Sequence, residues 1–380
     1  MNIPMLDLRS EYLYMKNDID TAIAKCLEHQ SWILGPEVKE FEKKCAEFFG
    51  VKHCIGCSSG TDALVIALRA IAISSGKEFF SRDEEILTTP FTFTATGDAI
   101  LRSGATPVFI DINPVDFNIS IDGIDKYLKS DGKKVKGILP VHLYGTPCNM
   151  DDIYEIASKY NIFIVEDVAQ AFGACWKNKK LGAIGHAGAF SFFPSKNLGG
   201  FGDGGMISTN NDTFAEIATI LTKHGGKDKY NVDYIGYNSR LDTLQAAILL
   251  AKIKYIDQFN NKRIGIAKKY NSELQGIEEI ELPEIIDGSV FHQYTIRIKN
   301  NKRTALQGFL KEKGIASMVY YPLCLHQMKL FQERAKIHSP LTEAEKASKE
   351  VLSIPVEPLM TEQQENYVIS EIKEFFRLNG

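Results

Sequence analysis

Short apolar runs alternate with amphipathic helical patterns along the first two thirds of the chain, and this alternation limits the folds that the chain can adopt. The apolar runs predict strands at 53–57, 84–90, 105–111, 136–145, 161–167, 188–195 and 204–210. Helical patterns lie between several of them, at 61–73, 150–160 and 212–225. Strands that alternate with helices predict an α/β fold, in which helices cover both faces of a mostly parallel sheet.

The pattern changes near Arg240. One long helical stretch runs from there to about residue 274, followed by a strand-like segment at 290–298 and helical segments at 304–314 and 361–376. We therefore predict two domains, a large α/β domain at 1–255 and a smaller α+β domain at 256–380. We expect the boundary to fall inside the long helical stretch.

Composition and charge exclude several classes of protein. The 380 residues include 44 Lys and Arg against 48 Asp and Glu, a net charge of −4, and they contain no basic run that would bind nucleic acid. No apolar stretch approaches the roughly 18 residues of a membrane span. Charged residues stand near the start, where a signal peptide would be apolar. We therefore expect a cytoplasmic protein with neither nucleic acid nor a membrane as its partner.

Seven cysteines are scattered along the chain, and their odd number argues against a disulfide framework. Cys54 and Cys57 form a C-x-x-C pair, but no second pair or histidine spacing completes a zinc site. We therefore expect these two cysteines to be packing residues, and we predict no metal.

Three segments place polar groups where predicted strands end, which is where ligands bind in open parallel sheets. In the first, CSSGTDAL at 57–64, small residues turn from a strand into a helix. Gly60 and Thr61 could bind an anion at the positive end of that helix. The same residues would also fit an ordinary capped turn.

The second segment, IFIVEDVAQAFGA at 162–174, closes a very apolar strand with an acidic pair. Asp167 could pair with a positive charge on a ligand, and Gln170 could donate a hydrogen bond to the ligand. The alternative is a cap for the residues that follow, although a carboxylate beside a buried strand would still need a partner.

The third segment, AFSFFPSKNLGGFGDGG at 189–205, surrounds Lys196 with phenylalanines and glycines. Glycines at this density serve turns or a close approach of the backbone. A lysine in apolar surroundings loses basicity and becomes a nucleophile that can form a Schiff base. The alternative, a solvated surface lysine, fits these neighbours less well.

Other aromatic and histidine side chains are weaker candidates. Phe93 could stack on an aromatic ligand or belong to the core, and His142 could line a cleft or cap a strand end. Tyr320, Tyr321 and His326 lie in a loop-like segment that could form the wall of a substrate site.

Together these segments resemble the sugar aminotransferases of the DegT/DnrJ/EryC1/StrS family, which use pyridoxal phosphate (PLP). The resemblance covers nearly the whole chain and begins with WILGPEVKEFE at 32–42. The motifs that follow are SSGTDAL, TTPFTFTAT, PVHLYG, VEDVAQAFGA, SFFPSKNLGGFGDGG, GYNSRLDTLQAA and VYYPLCLHQ. The resemblance implies a type I, aspartate-aminotransferase-like PLP fold, with a large domain on a mostly parallel mixed sheet and a smaller α+β domain.

The resemblance assigns roles to the residues already singled out. It implies that Lys196 forms a Schiff base with the cofactor. It implies that Asp167 pairs with the pyridinium nitrogen, which keeps the ring an electron sink. It also places Gln170 near the phenolic oxygen of the cofactor and Phe93 against the face of its ring.

The same resemblance implies that Gly60, Thr61 and Ser191 contact the cofactor phosphate. Asn238, in GYNSR, matches a phosphate contact that family members supply from the neighbouring subunit. The resemblance therefore implies an obligate homodimer with shared active sites.

The implied reaction is a ping-pong transamination. L-glutamate would leave its amino group on the cofactor and depart as 2-oxoglutarate, and a keto group on a nucleotide-linked hexose would then accept the amine. The combination of motifs is most similar to members that aminate C3 of 3-keto sugars. The product would serve the synthesis of a glycan such as O-antigen or an S-layer glycan.

The identity of the sugar depends on weaker signals, with His326, Tyr321 and Arg240 as candidate substrate residues. A substrate carboxylate would favour an arginine fork or a lysine. The segment at 225–240 offers Lys227 and Lys229 but no arginine before Arg240. We therefore expect a dTDP-3-keto-6-deoxyhexose, with a UDP-linked 3-keto-N-acetylhexuronate as the alternative.

Three other activities remain as alternatives. A 4-keto-sugar aminotransferase of the same family would differ only in the position of the new amine. A regulatory or binding protein on the same fold would have no need of Lys196 and Asp167. A PLP-dependent dehydratase would, as the resemblance implies, carry histidine in place of Lys196.

Overall fold

Thirteen strands and thirteen α-helices form the regular structure of residues 1–228 and 230–379, which the computed structural model describes. The strands are β1 (His53–Cys57), β2 (Glu85–Thr88), β3 (Thr106–Phe109), β4 (Val135–Ile138), β5 (Phe163–Asp167), β6 (Cys175–Trp176), β7 (Lys179–Lys180), β8 (Ala187–Ser191), β9 (Gly205–Thr209), β10 (Ile280–Glu281), β11 (Tyr294–Ile298), β12 (Lys336–Ile337) and β13 (Val351–Ile354). The helices are α1 (Leu8–His29), α2 (Pro36–Phe49), α3 (Gly60–Ser74), α4 (Thr94–Arg102), α5 (Ile121–Asp131), α6 (Met150–Tyr160), α7 (Asp212–Leu221), α8 (Thr243–Ile253), α9 (Ile256–Leu274), α10 (Arg303–Glu312), α11 (Lys329–Gln332), α12 (Thr342–Glu350) and α13 (Glu362–Asn379). Short 3₁₀ segments lie at Gly132–Lys134, Leu143–Gly145 and Leu325–Gln327. None of the helices in the described part of the chain combines the length and the apolar character needed to span a membrane.

Eight of the strands form one sheet, in the order β1-β9-β8-β5-β4-β2-β3-β12. From β12 to β8 the neighbours are parallel, whereas β9 runs antiparallel to both β8 and β1. The predicted α/β fold with a mostly parallel sheet is therefore confirmed. Because β5 and β8 are parallel, their last residues, Asp167 and Ser191, come to the same edge of the sheet.

Both faces of β5 are buried, because helices cover the sheet on each side. Successive strand residues point to opposite faces. Ile164 packs with residues of α2, α5, α6 and α8, and Val165 packs with residues of α3, α4 and α7. Burial on both faces explains why the sequence of β5 is almost continuously apolar.

A second, antiparallel sheet joins β10, β11 and β13. Side chains of α9, α10 and α13 form an apolar cluster with it, and this cluster also includes Ile3 near the N-terminus. β12, by contrast, returns to the large sheet and pairs with β3. The division of the chain into domains at 1–255 and 256–380 stays a prediction.

The long helical stretch predicted to begin at Arg240 is two helices. α8 ends at Ile253 and α9 begins at Ile256. Between them, Tyr255 donates its backbone N–H to the carbonyl of Lys252 (2.9 Å). The break lets α8 pack against α1 and α2 while α9 packs against α13. Hydrophobic periodicity does not reveal such a break, because both helices keep the same period.

Candidate active site

Asp167 ends β5 as a buried carboxylate at the shared edge of the parallel strands, where it is 5% exposed. Thr96, in α4, donates its hydroxyl to Oδ2 (2.9 Å), and the backbone N–H of Ala169 donates to Oδ1 (3.1 Å). Burial raises the pKa of Asp167, while these hydrogen bonds and the positive charge of Lys196 oppose the rise. The arrangement leaves a carboxylate that can still take a positively charged partner.

Lys196 lies in the turn that follows β8. Its backbone N–H donates to the carbonyl of Phe193 (2.8 Å). The turn is tight, since a Cβ on Gly199 would lie 2.3 Å from the carbonyl oxygen of Pro194. Burial lowers the pKa of Lys196 to about 8, and the negative charge of Asp167 partly offsets this effect. The Lys196 amine is therefore neutral at a pH where an ordinary lysine is charged.

The N-terminus of α3 lies against the end of β8. Ser59 caps the helix, because its side chain accepts the backbone N–H of Asp62 (3.1 Å). A Cβ on Gly60 would lie 2.6 Å from the Cβ of Ser191, so glycine alone permits this approach. Gly60, Thr61 and Ser191 therefore meet at the positive end of the helix, where free backbone N–H groups attract an anion.

Gln170 connects the turn after β5 to the aromatic residues of the site. Its Oε1 accepts the backbone N–H of Tyr144 (2.7 Å), and its Nε2 donates to the hydroxyl of Tyr321 (3.0 Å). The ring of Tyr321 lies 6.3 Å from that of Phe93, measured between centroids. Phe93 precedes α4 and is 56% exposed, so its ring is accessible to a ligand.

Asn238 and Arg240 contact each other and the segment after α7 rather than the pair Asp167 and Lys196. Arg240 donates a hydrogen bond from Nη2 to Oδ1 of Asn238. The backbone of Asn238 pairs with that of Lys223, just after α7. Asn238 is exposed. Among the described residues, no hydrogen bond or ion pair joins Asn238 to Asp167 or Lys196 of the same chain.

The remaining candidate substrate residues are held by protein contacts. Nε2 of His326 lies 3.0 Å from Oε1 of Glu345, and its Nδ1 is buried without a hydrogen-bond partner in the described part of the chain. Lys227 forms an ion pair with Glu216 (3.0 Å), and Lys229 lies outside the described residues. The contact of His326 with a sugar stays a prediction.

His142 is fully buried and so does not line a cleft. Its Nε2 lies 3.2 Å from Oε2 of Glu166. That carboxylate also accepts the backbone N–H groups of Gly182 (2.8 Å), Ile184 (2.9 Å) and Gly185 (2.7 Å). Because neighbouring strand residues point to opposite faces, Glu166 and its neighbour at the end of β5 serve different sides of the sheet.

Two residues of the site were not singled out from the sequence. Thr96 belongs to the TTPFTFTAT motif, but a threonine at the start of a helix has many ordinary uses. Tyr144 holds Gln170 through its backbone N–H, and its φ of 59° is a local conformation that its residue type does not signal. Both contacts join segments that are distant in the sequence, so only the folded structure reveals them.

The sequence profile of the DegT/DnrJ/EryC1/StrS aminotransferase family matches residues 13–373. The chain belongs to this family. Members of the DegT/DnrJ/EryC1/StrS aminotransferase family are PLP-dependent transaminases, so PLP is the cofactor of this protein.

Relatives within this aminotransferase family include nucleotide-sugar enzymes. A pleiotropic regulatory protein of Geobacillus stearothermophilus is 44% identical over 99% of this chain and 99% of its own length. UDP-N-acetyl-3-dehydro-α-D-glucosamine 3-aminotransferase of Acidithiobacillus ferrooxidans is 42% identical over 95% of each chain. dTDP-3-amino-3,6-dideoxy-α-D-galactopyranose transaminase of Aneurinibacillus thermoaerophilus is 38% identical over 98% of this chain and 99% of its own. The relatives therefore include 3-aminotransferases of both UDP-linked and dTDP-linked sugars.

Two solved structures share the fold of this family member. DesV of Streptomyces venezuelae, in complex with a ketimine intermediate, is 34% identical with a TM-score of 0.92 and covers 99% of this chain and 98% of its own. NtdA of Bacillus subtilis, with bound cofactor PMP, is 32% identical with a TM-score of 0.89 and covers 99% and 85%. The predicted fold class is therefore confirmed.

The residues of the site fit the cofactor of the DegT/DnrJ/EryC1/StrS aminotransferases. Asp167 offers a buried carboxylate for a protonated ring nitrogen, and Lys196 offers an amine of lowered pKa for an aldehyde. The space beside Gly60, which a Cβ would fill, lies at a helix N-terminus that suits a phosphate group. A carboxylate, an amine and an anion site therefore lie on neighbouring strand ends.

Proposed function

We propose that this protein transfers the amino group of L-glutamate to C3 of a nucleotide-linked 3-keto sugar. The observation that carries the proposal is the interaction of Lys196, which has a lowered pKa, with the buried carboxylate of Asp167. Asp167 ends β5 and Lys196 follows β8, at the edge where parallel sheets bind ligands. The 3-aminotransferases among the relatives support C3 as the position of the new amine.

Lys196 attaches the cofactor and moves the proton during the reaction. At pH 8 an amine with a pKa of about 8 is half neutral, whereas less than about 1% of an ordinary lysine is neutral. With the cofactor bound, the neutral Nζ would take the proton from Cα of L-glutamate and pass it to C4′ of the cofactor. Because burial causes the low pKa, the enclosed position of Lys196 is part of the mechanism.

Asp167 holds the ring nitrogen of the cofactor in its protonated form. PLP, when bound, supplies a conjugated ring that takes up the electron pair left as the Cα–H bond breaks. Thr96 and Ala169 orient the carboxylate through their hydrogen bonds of 2.9 and 3.1 Å. These contacts favour the ionised form and so oppose the rise that burial causes in the pKa of Asp167.

The other cofactor contacts that we propose surround this pair. Gly60, Thr61 and Ser191 bind the phosphate group at the N-terminus of α3, where the backbone approach at Gly60 leaves no room for a Cβ. Phe93 covers one face of the ring, and its exposure supports that role. Gln170 donates a hydrogen bond to the phenolic oxygen.

We infer a homodimer in which Asn238 of each subunit completes the phosphate site of the other. Asn238 is exposed, and Arg240 donates to its amide oxygen, which leaves the amide N–H groups of Asn238 available to donate. Large apolar side chains are exposed at Phe193 (52%) and Ile235 (62%). Exposed apolar surface of this kind is typical of an interface.

Among 3-keto sugars we propose a dTDP-linked 6-deoxyhexose, with Tyr321, His326 and Arg240 as its contacts. A hexuronate carboxylate would favour a free arginine fork or a lysine. Arg240 already donates from Nη2 to Asn238, which supports an uncharged sugar. A UDP-linked 3-keto sugar, such as an N-acetylhexuronate, is the second candidate, because two of the relatives are named as aminotransferases of UDP-linked 3-keto sugars, one of them a 2-acetamido-2-deoxy-3-oxo-D-glucuronate.

The visible absorption spectrum tests the first half of the reaction. We expect a yellow protein whose band bleaches with L-glutamate. Lys196→Ala should lose the band after the cofactor is removed and added again. Lys254→Ala, which changes an exposed lysine paired with Asp18 (2.7 Å), should keep it. Borohydride reduction followed by peptide mass spectrometry should find the cofactor on Lys196. A protein that stays colourless with added PLP would contradict the proposal.

Recovery of the band tests the second half. The bleached protein is mixed in turn with a dTDP-3-keto-6-deoxyhexose, UDP-linked 3-keto sugars and a 4-keto sugar, and NMR locates the amine in the product. We expect recovery with a 3-keto sugar and an amine on C3. Amination at C4 would overturn that position. A protein that no amino donor bleaches would favour a regulatory role, as the name of one relative suggests.

Mixing two inactive variants tests the shared site. In a dimer of Lys196→Ala with Asn238→Asp, one of the two sites has both native residues. Random exchange of subunits should therefore restore about a quarter of the native sites. Mixtures that remain as inactive as the separate variants would argue against a contribution of Asn238 to the partner subunit.

A further inference from the structure

A chain of buried amide groups begins at the residue after Lys196. Asn197, which is 8% exposed, donates from Nδ2 to Oδ1 of Asn260 in α9 (2.8 Å). Asn260 in turn donates from Nδ2 to the carbonyl of Phe172 (3.0 Å). Because a backbone carbonyl can only accept, this contact sets the orientation of both amides. The oxygen of Asn197 is therefore an acceptor that faces away from α9.

His292 supplies the donor for that oxygen. Its Nδ1 lies 2.9 Å from Oδ1 of Asn197, so Nδ1 carries the proton and Nε2 keeps its lone pair. The residue is 5% exposed. Burial lowers the pKa of His292 well below its usual value, and the charges of Lys196 and Arg263 lower it further. His292 is therefore a neutral ring with a defined tautomer beside the segment that carries Lys196.

The backbone around His292 is fixed to the other side of the site. Val290 donates its N–H to the carbonyl of Gly145 (2.9 Å), and Gln293 donates to the carbonyl of Tyr144 (3.3 Å). A Cβ on Gly145 would lie 2.8 Å from the nitrogen of His292, so the two segments are in direct contact. The histidine therefore has a rigid support that does not depend on Lys196.

The far end of the Lys196 turn is held by a second buried group. Lys252, which is 4% exposed, donates to the carbonyl of Gly199 (2.5 Å) and pairs with Glu11 (2.5 Å). The turn is thus fixed through a side chain at one end and through a backbone carbonyl at the other. Of these two contacts, the one through Asn197 involves the residue directly after Lys196.

We propose that His292 is a positioning residue for Lys196, which it holds in the reactive orientation through its hydrogen bond to Asn197. The proposal rests on the role of Lys196 given under Proposed function. A neutral ring suits this place, because a protonated histidine would repel the Lys196 ammonium and Arg263, the two cations that face it. His292 acts through Asn197 and needs no contact with the substrate.

Two substitutions separate the hydrogen bond from the volume of the ring. His292→Phe keeps a ring of similar size and removes the donor, whereas His292→Asn places an amide N–H near the position of Nδ1. In the half-reaction with L-glutamate, we expect His292→Phe to lower kcat about tenfold, the effect of one buried hydrogen bond, with KM within about twofold. His292→Asn should recover most of that loss.

Attachment of the cofactor provides a readout that does not depend on turnover. Appearance of the visible band after PLP is added to cofactor-free protein should be several-fold slower in His292→Phe and close to native in His292→Asn. Asn197→Leu, a second route to the same loss if His292→Phe does not fold, should behave like His292→Phe. The double variant should be no slower than Asn197→Leu alone, because Asn197→Leu already removes the contact with His292 together with the bond to Asn260.

Tyr270→Phe is the matched control for lost stability. It removes a buried hydrogen bond to the carbonyl of Pro355 (2.9 Å) in the C-terminal apolar cluster. It should lower Tm and leave kcat and attachment unchanged. If His292→Phe also lowers only Tm, the histidine is structural and the inference fails. If borohydride fixes the cofactor to a residue other than Lys196, the proposed function fails instead, and the two failures are distinguishable.

Discussion

Two neighbouring carboxylates at the end of β5 have opposite environments. Glu166 accepts three backbone N–H groups and lies 3.2 Å from Nε2 of His142. Asp167, on the other face of the sheet, accepts the Thr96 hydroxyl and one backbone N–H. Both are at most 5% exposed. The charge of Glu166 is satisfied within the protein, whereas that of Asp167 remains available to a ligand.

Two lysines repeat the contrast. Lys252 is buried against the carboxylate of Glu11 and a backbone carbonyl. Lys196 is also desolvated, but its opposing charge is the more distant Asp167, and its pKa falls to about 8. In each pair, the member with fewer protein partners is the one that we assign to chemistry. Incomplete satisfaction of a buried group therefore marks the site better than burial alone.

The largest expected effect is on the less satisfied carboxylate. Asp167→Asn keeps the shape of the side chain and removes the charge that holds the cofactor ring protonated. We expect kcat to fall about 100- to 1000-fold, the scale of a lost electrostatic contact in an active site, with much smaller change in cofactor occupancy. Stopped-flow bleaching with L-glutamate and the PLP content of the protein measure the two quantities. Near-normal activity of Asp167→Asn would contradict the role proposed for Asp167.

Substitution of Glu166, the carboxylate whose partners all lie within the protein, should lower stability more than activity. Glu166→Gln would turn an amide N–H₂ toward groups that are themselves donors, so we expect the free energy of unfolding to fall by about 3 kcal/mol. Urea denaturation of the cofactor-free protein at pH 7.5 measures the loss. The kcat of the folded fraction should fall far less than in Asp167→Asn. Equal losses of kcat would break the comparison.

The two lysines provide a second test, with a smaller effect. Lys252→Met leaves Glu11 without its partner and should cost about 2 kcal/mol of stability. Lys196→Met in cofactor-free protein should leave Tm unchanged or raise it at pH 7. Because the pKa of Lys196 is lower in the folded state, its charge destabilises the fold below about pH 8, and the penalty fades as the pH rises toward the usual lysine value. Thermal unfolding of both proteins at pH 7 and pH 10 measures the effect. A Tm that Lys196→Met lowers more at pH 7 than at pH 10 would contradict the prediction.

The smallest effect is expected from one donor to Asp167. A hydrogen bond to the charged form lowers a pKa, so Thr96→Val should raise that of Asp167 and move the acid limb of the kcat–pH profile to higher pH. Near pH 8, kcat should fall about fivefold. Thr209→Val, which removes a similar bond to the His186 carbonyl (2.8 Å), is the control. An acid limb that moves equally in both variants would argue against this role.

Much of the fold is predictable because hydrophobic periodicity is a local property. The strands predicted at 53–57 and 161–167 correspond to β1 and β5, and the helix predicted at 150–160 is α6. β12 was not predicted, since its two residues are exposed and carry no apolar run. Its pairing with β3 depends on a contact between distant parts of the chain.

The site divides in the same way. Asp167 ends one predicted strand and Lys196 follows another, and parallel strands bring their ends together, so their proximity could be expected. Thr96 and His292 could not be found in this manner. Their hydrogen-bond partners lie 71 and 95 residues away, and nothing adjacent in the sequence marks either side chain.

β12 also has a consequence for how separate molecules behave. The outer strand of a sheet offers unpaired N–H and C=O groups on which another molecule can add its own strand. Here the edge strand β12 is only two residues long, is exposed, and carries Lys336, whose amine binds Glu85. An edge strand this short and charged is a poor template for polymerisation. Fibrils should therefore not grow readily from β12 in concentrated solutions of the protein.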